Sequence, residues 1–128
     1  MTTSFKIDAE NQIVFVRRSG RISPGEPIKE MQRIAAESDY KNITKLLSDL
    51  SNSDLTAISD EEWSRHAMLC KKIFANLKSI AIVAHEDYSF GISRWFEMSS
   101  GLGNTMVFRD MKDALKWLGI NSLPGGWE

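Results

Sequence analysis

The sequence predicts an α/β domain in which strands alternate with amphipathic helices around one five-stranded, mostly parallel sheet. Three observations carry this reading. Apolar runs of strand length recur along the chain, Ile13-Val14-Phe15-Val16 and Ser79 to Ala84 being the clearest. Between such runs, apolar residues fall at helical spacing, as Ile28, Met31, Ile34 and Ala35 do. Capping and turn residues, not long linkers, separate the two kinds of segment.

Phe5 to Asp8 reads as the first strand, Ala9-Glu10-Asn11 as a turn, and Gln12 to Arg18 as the second strand. So short a connection predicts an antiparallel hairpin. The unbroken apolar run inside the second strand predicts burial on both faces. Gly20 to Pro27 is rich in turn residues, and a helix follows from Pro27 to Ser38, with Pro27 suited to a first turn that needs no N–H there. Ile43 to Leu50 reads as the third strand and Ser51 to Ser59 as a polar loop. Ser59 and Glu62 have the spacing of a capping box, and Asp60, Glu61 and Glu62 complement the positive end of a helix running to Leu77. Trp63, Ala67, Cys70, Phe74 and Leu77 share its apolar face. Ser79 to Ala84 is the fourth strand, Tyr88 to Ser100 a helix ended by Gly101 and Gly103, and Thr105 to Arg109 the fifth strand. Asp110 caps a last helix through Leu118, with Ala114, Leu115 and Leu118 facing inward. The order is therefore β-β-α-β-α-β-α-β-α. The strand-helix-strand units predict parallel pairing with right-handed crossovers, so only the first strand should run antiparallel. Residues 1–120 form a single domain, and residues 121–128, with Pro124-Gly125-Gly126, are expected to be a flexible C-terminal tail.

Composition narrows the function. The chain has 128 residues, with sixteen Lys and Arg against seventeen Asp and Glu, a balance that argues against nucleic acid as a partner. Arg17, Arg18 and Arg21 form one small basic cluster, which reads as a solvated strand end. Cys70 is the only cysteine, so no internal disulfide can form, which fits a reducing compartment. No segment has the composition of a signal peptide or of a transmembrane span, and a cytoplasmic location is expected.

In a parallel sheet, ligands bind beyond the carboxyl ends of the strands. The richest such end is Asp49-Leu50-Ser51-Asn52-Ser53-Asp54, although turns use the same residue types. His66 and Cys70 lie one helical turn apart, but Cys70 belongs to the apolar stripe, where an inert thiol is the ordinary occupant. His66, His85, Glu86 and Asp87 do not have metal-ligand spacing, and no glycine-rich phosphate loop follows a strand. No cofactor, no metal and no catalytic residue is therefore assigned. Trp63, Tyr88, Phe90, Trp95 and Phe96 are too many for one narrow stripe, so some could line an apolar pocket.

The hairpin start, the strand Leu46-Leu47-Ser48-Asp49-Leu50 and its Ser/Asp loop resemble the STAS family, which includes bacterial anti-sigma-factor antagonists. Arg94-Trp95-Phe96-Glu97-Met98 leading to Gly101-Leu102, then Met106-Val107-Phe108 and Asp113-Ala114-Leu115, are similar to that family's last helix-strand-helix. Asp49 to Ser59, Glu61-Glu62, Ala81-Ile82-Val83-Ala84 and Phe90-Gly91 resemble a stand-alone bacterial subgroup described as STAS-like with a link to CRAL-TRIO lipid-transfer domains. The resemblance implies a non-enzymatic module that binds a regulatory protein, with Asp49, Ser51, Ser53 and Asp54 as docking or phospho-switch candidates. The antagonists carry Asp-Ser-Ser-Gly at this place, whereas this chain has Ser51-Asn52-Ser53-Asp54 without the glycine. The alternative expectation is a lipid or other apolar small molecule bound among the five aromatics. A homodimer is compatible with either.

Overall fold

The computed structural model describes residues 2–101 and 103–127. Its elements are β1 (Thr2–Asp8), β2 (Ile13–Arg21), α1 (Glu26–Ala35), β3 (Lys45–Asp54), α2 (Asp60–Ile73), β4 (Ser79–Val83), α3 (Asp87–Ser99), β5 (Thr105–Phe108) and α4 (Met111–Leu118), with a 3-10 turn at Ser38–Asn42. The five strands form one sheet in sequential order, β1-β2-β3-β4-β5. Only β1 runs antiparallel to its neighbour. This is the mixed α/β sheet that the sequence predicts.

The hairpin joining β1 to β2 is held by Asp8, whose carboxylate accepts from the Asn11 backbone N–H at 3.1 Å and from the Asn11 amide at 2.8 Å. Gln12 takes the left-handed conformation, with φ 56°, that closes the turn.

Strand order sets the layers. Each β-α-β crossover advances the sheet in the same direction, so crossovers of one hand place α1, α2 and α3 on the same face. The packing agrees. Val14, Val16, Leu46, Ile80, Ile82 and Val107 point into a core shared with Met31, Ile34, Ala67, Cys70 and Phe96 of those helices. Ile13, Phe15, Leu47, Ala81 and Val83 alternate to the opposite face, where Ala114, Leu118 and Trp127 cover them. The apolar run of β2 is thus buried on both sides.

Several boundaries differ from expectation. β3 does not stop at Leu50 but continues to Asp54, so the expected Ser51 loop is strand. The cause is the end of β2, which continues to pair with β3 across a bulge: Arg17 pairs with Asp49 and Ser19 with Asn52, leaving one extra residue in β3. Beyond Asp49, β3 pairs with β2 alone, because β4 ends at Val83 opposite Asp49. β1 pairs with β2 as far as Ser19, so Gly20–Arg21 and Ser53–Asp54 project past the sheet as a two-stranded ribbon. α2 ends at Ile73, a turn before Leu77; the Lys78 N–H bonds the Thr44 carbonyl at 2.7 Å as the chain turns into β4. α1 begins at Glu26 and ends at Ala35, three residues before Ser38. The sequence motif at Gly101-Leu102 falls partly on Leu102, which lies outside the described residues.

The C-terminal segment is not free. Trp127 is buried against Phe15, ring centroids 6.4 Å apart and edge to face. Arg17 stacks on the indole at 4.8 Å, and Lys6 Nζ donates to the Gly125 carbonyl at 3.2 Å. Composition suggested flexibility because Pro124-Gly125-Gly126 is turn chemistry; here it serves to fold Trp127 back onto the sheet.

Candidate functional site

The four polar candidates at the end of β3 are brought close together, but most of their side chains are already committed. Asp49 is buried, accepting from Arg17 Nε at 2.9 Å, from the Ser51 hydroxyl at 2.5 Å and from the Ser51 N–H at 3.0 Å. Ser53 is 2% exposed and donates to the Leu50 carbonyl at 2.8 Å. Asp54 accepts from the Thr56 hydroxyl and N–H, bonds that lower its carboxyl below the usual range. The groups left facing solvent are Gly20 and Arg21 on β2, Asn52 on β3, Thr56 in the following turn, and Ser59, Asp60 and Glu61 at the start of α2. The rim is thus polar, with Asp60 and Glu61 against Arg21, and the burial of Ser53 removes it as an accessible phosphorylation site.

The capping box forms by half. Ser59 Oγ accepts from the Glu62 N–H at 3.1 Å. The Glu62 carboxylate does not return to Ser59. It accepts the Gly25 N–H instead, at 2.8 and 2.9 Å.

The basic cluster is not a solvated strand end as a whole. Arg17 is tied to Asp49 and Trp127 on one face of the sheet. Arg18, one residue on, points to the other face and is only 8% exposed. It lines a cavity of about 70 Å³ between the sheet and the helices α1, α2 and α3. Most of the wall is apolar, formed by residues such as Val16, Leu46, Ile82 and Ile92.

Of the five aromatics named as a pocket, only Trp63 and Phe96 line this cavity. Trp95 is half-buried on an open groove between α2 and α3 that Trp63 and Ile92 share. Phe90 lies under the Arg109 guanidinium at 4.1 Å, and Tyr88 is 47% exposed. Four of the aromatics fall on different sides of a little over two turns of α3 and the fifth is on α2, so the cluster divides between core, groove and surface.

His66 and Cys70 also reach the cavity wall. The sulfur is 3.8 Å from both ring nitrogens, so neither lone pair is aimed at it, and the thiol donates to Met31 Sδ at 3.1 Å. Burial pushes the thiol up to about 12 and the imidazole down to about 3, with the Arg18 charge adding to the fall. Both groups are neutral at physiological pH, which is packing chemistry and not nucleophile activation. Among the described residues no cluster of three or more His, Cys, Asp or Glu could hold a metal ion, and no helix is long and apolar enough to cross a membrane.

Sequence reasoning missed Arg18. The only available signal was parity: in a strand whose Val14 and Val16 face the helices, Arg18 must face them too.

No family model matches the chain, and no curated protein matches it. Among solved structures it is similar to an uncharacterised protein of the DUF3478 family from Shewanella loihica PV-4, described as having a SpoIIAA-like fold. The TM-score is 0.64 at 20% identity, over 91% of this chain and 92% of that one. The chain therefore has a SpoIIAA-like fold, the STAS-like architecture that the sequence resemblance implied.

Proposed function

We propose that the protein is a non-enzymatic STAS-like module that docks a regulatory protein through the projecting end of β2 and β3. The observation that carries this reading is the ribbon itself. Gly20–Arg21 and Ser53–Asp54 pair only with each other, beyond the last rung that β2 shares with β1, at Ser19, and the last that β3 shares with β4, at Asp49. Backbone so placed, with exposed Asn52, Thr56 and Glu61 beside it, offers a partner both strand edge and side-chain contacts. The SpoIIAA-like fold supports a protein-interaction role.

The test follows from what is exposed. Ser53→Asp and Asp49→Ala would disturb buried groups and confound folding with docking. Asn52→Arg and Glu61→Arg alter only the rim. Affinity purification of the native-level protein should recover a partner that both variants lose, with circular dichroism and thermal stability unchanged. Equal recovery by the wild type and both rim variants would overturn the assignment.

A further inference from the structure

Arg18 carries a buried charge that no hydrogen bond to its Nε and no ion pair among the described residues meets. A guanidinium keeps its proton at any physiological pH and carries five N–H donors. Removing one from water is costly unless its donors and charge are matched. Yet its Nε is buried with no hydrogen-bond partner, and none of the ion pairs among the described residues includes Arg18. Glu30 is the principal carboxylate whose field reaches it. That carboxylate is itself buried; its Oε2 accepts from Arg33 at 2.9 Å, and its Oε1 has no hydrogen-bond partner, so it meets Arg18 through its field and not through a bond.

A second donor is in the same position. The indole Nε1 of Trp63 is buried without an acceptor. Arg18 and Trp63 line the same cavity. His66, also on the wall, is held neutral by burial, so Arg18 is the cationic group there. The remaining wall is largely aliphatic and aromatic. Two unused donors, one of them charged, in an apolar chamber are complementary to an anion with an apolar body. An inorganic oxyanion such as phosphate would satisfy the charge but leave its other oxygens against Ile82 and Phe96, with no replacement for their hydration.

We propose that this cavity binds the carboxylate of an amphipathic monocarboxylic acid, with Arg18 Nε and Trp63 Nε1 as the donors. The size fits a head group. At about 70 Å³ the chamber is roughly half of an engineered cavity of about 150 Å³ that takes benzene, so it holds a carboxyl group and its first carbons. A longer chain leaves between Trp63 and Ile92, which line both the cavity and the open groove that runs to Trp95.

The probe is sodium hexanoate, titrated into the full chain while the Trp63 indole N–H resonance is followed by NMR, its assignment taken from Trp63→Phe. A saturable shift is expected, with 1-hexanol binding at least about tenfold more weakly, the ratio that one charged hydrogen bond supplies. Sodium phosphate at equal ionic strength should leave the resonance in place. Arg18→Met keeps the length and loses the charge; calorimetry should show the preference for hexanoate over hexanol abolished. If that variant does not fold, Trp63→Phe keeps the ring and should weaken hexanoate about threefold or more by the same measurement. A hexanoate titration that never saturates, equal binding of hexanol, or an equal response to phosphate would each overturn the assignment. The first result would leave a cavity filled by water alone. None of these outcomes bears on the β2–β3 ribbon, because Asn52, Thr56 and Glu61 do not line the cavity.

Discussion

The carboxylate of Glu62, in the first turn of α2, accepts the backbone N–H of Gly25 through both its oxygens, at 2.8 and 2.9 Å. Gly25 is the N-cap of α1, in a left-handed conformation at φ 87° and without a side chain to cap anything. Glu62 thus does for a neighbouring helix what an N-cap side chain does for its own. It satisfies a donor near the positive end of α1 with a charged acceptor and ties the loop after β2 to α2.

Glu62→Ala is expected to lower the unfolding free energy by about 2 kcal/mol, the usual worth of a hydrogen bond to a charged acceptor that is largely buried. Glu62→Gln keeps one acceptor oxygen and should recover part of that loss. Ser59→Ala should cost about 1 kcal/mol, as the loss of an ordinary N-cap does. Urea unfolding of the three variants measures all of this. An Ala variant no less stable than the Ser59→Ala one would show that the link contributes little.

Trp127 leads to a second prediction. Its ring closes the face of the sheet opposite the three crossover helices and stacks on Arg17, which is itself bonded to Asp49. Trp127→Ala should destabilise the domain by about 3 kcal/mol, as removal of a buried Trp commonly does. It should also raise hydrogen exchange in residues 121–127 and leave the α1–α2 side unaffected. A loss below about 0.5 kcal/mol, the range of an exposed surface change, would mean that the segment does not hold the fold in solution.

Why the sequence revealed some of this and not the rest is a matter of range. The order of elements and the direction of every strand were legible, because hydrophobic period and short connections are local properties. The length of β3 was not. Ser51, Asn52, Ser53 and Asp54 have turn composition, and only the facing end of β2 makes them a strand. The partner of Glu62 was hidden for the same reason, since Gly25 lies 37 residues away and competes with a local cap that looked sufficient. The site was the least legible part. Arg18 looked like one member of a solvated cluster, and its burial depends on three helices that close over β2 from later in the chain.

The last prediction concerns pH. His66 lies 9% exposed between Trp63 and Phe96, with ring centroids 5.6 and 5.8 Å away, and burial holds its imidazole at about 3 against an ordinary value of 6.5. The folded state resists a proton that the unfolded state accepts. As pH falls below 6.5 the unfolded chain is therefore favoured progressively, and the effect levels off near pH 3. Between pH 7 and pH 5 the loss attributable to His66 should be about 2 kcal/mol. Glu30 works in the opposite sense. Burial raises its carboxyl, so the folded state holds that proton more tightly, and its contribution improves as pH falls through the raised value towards the ordinary 4.5. The two separate by difference. His66→Gln keeps a polar side chain that does not titrate, so subtracting its stability profile from that of the wild type isolates the imidazole. The difference should grow steadily from pH 7 to pH 5 against the wild type. A flat difference over that range would place the His66 imidazole in contact with water, and with it the wall of the cavity that Arg18 shares.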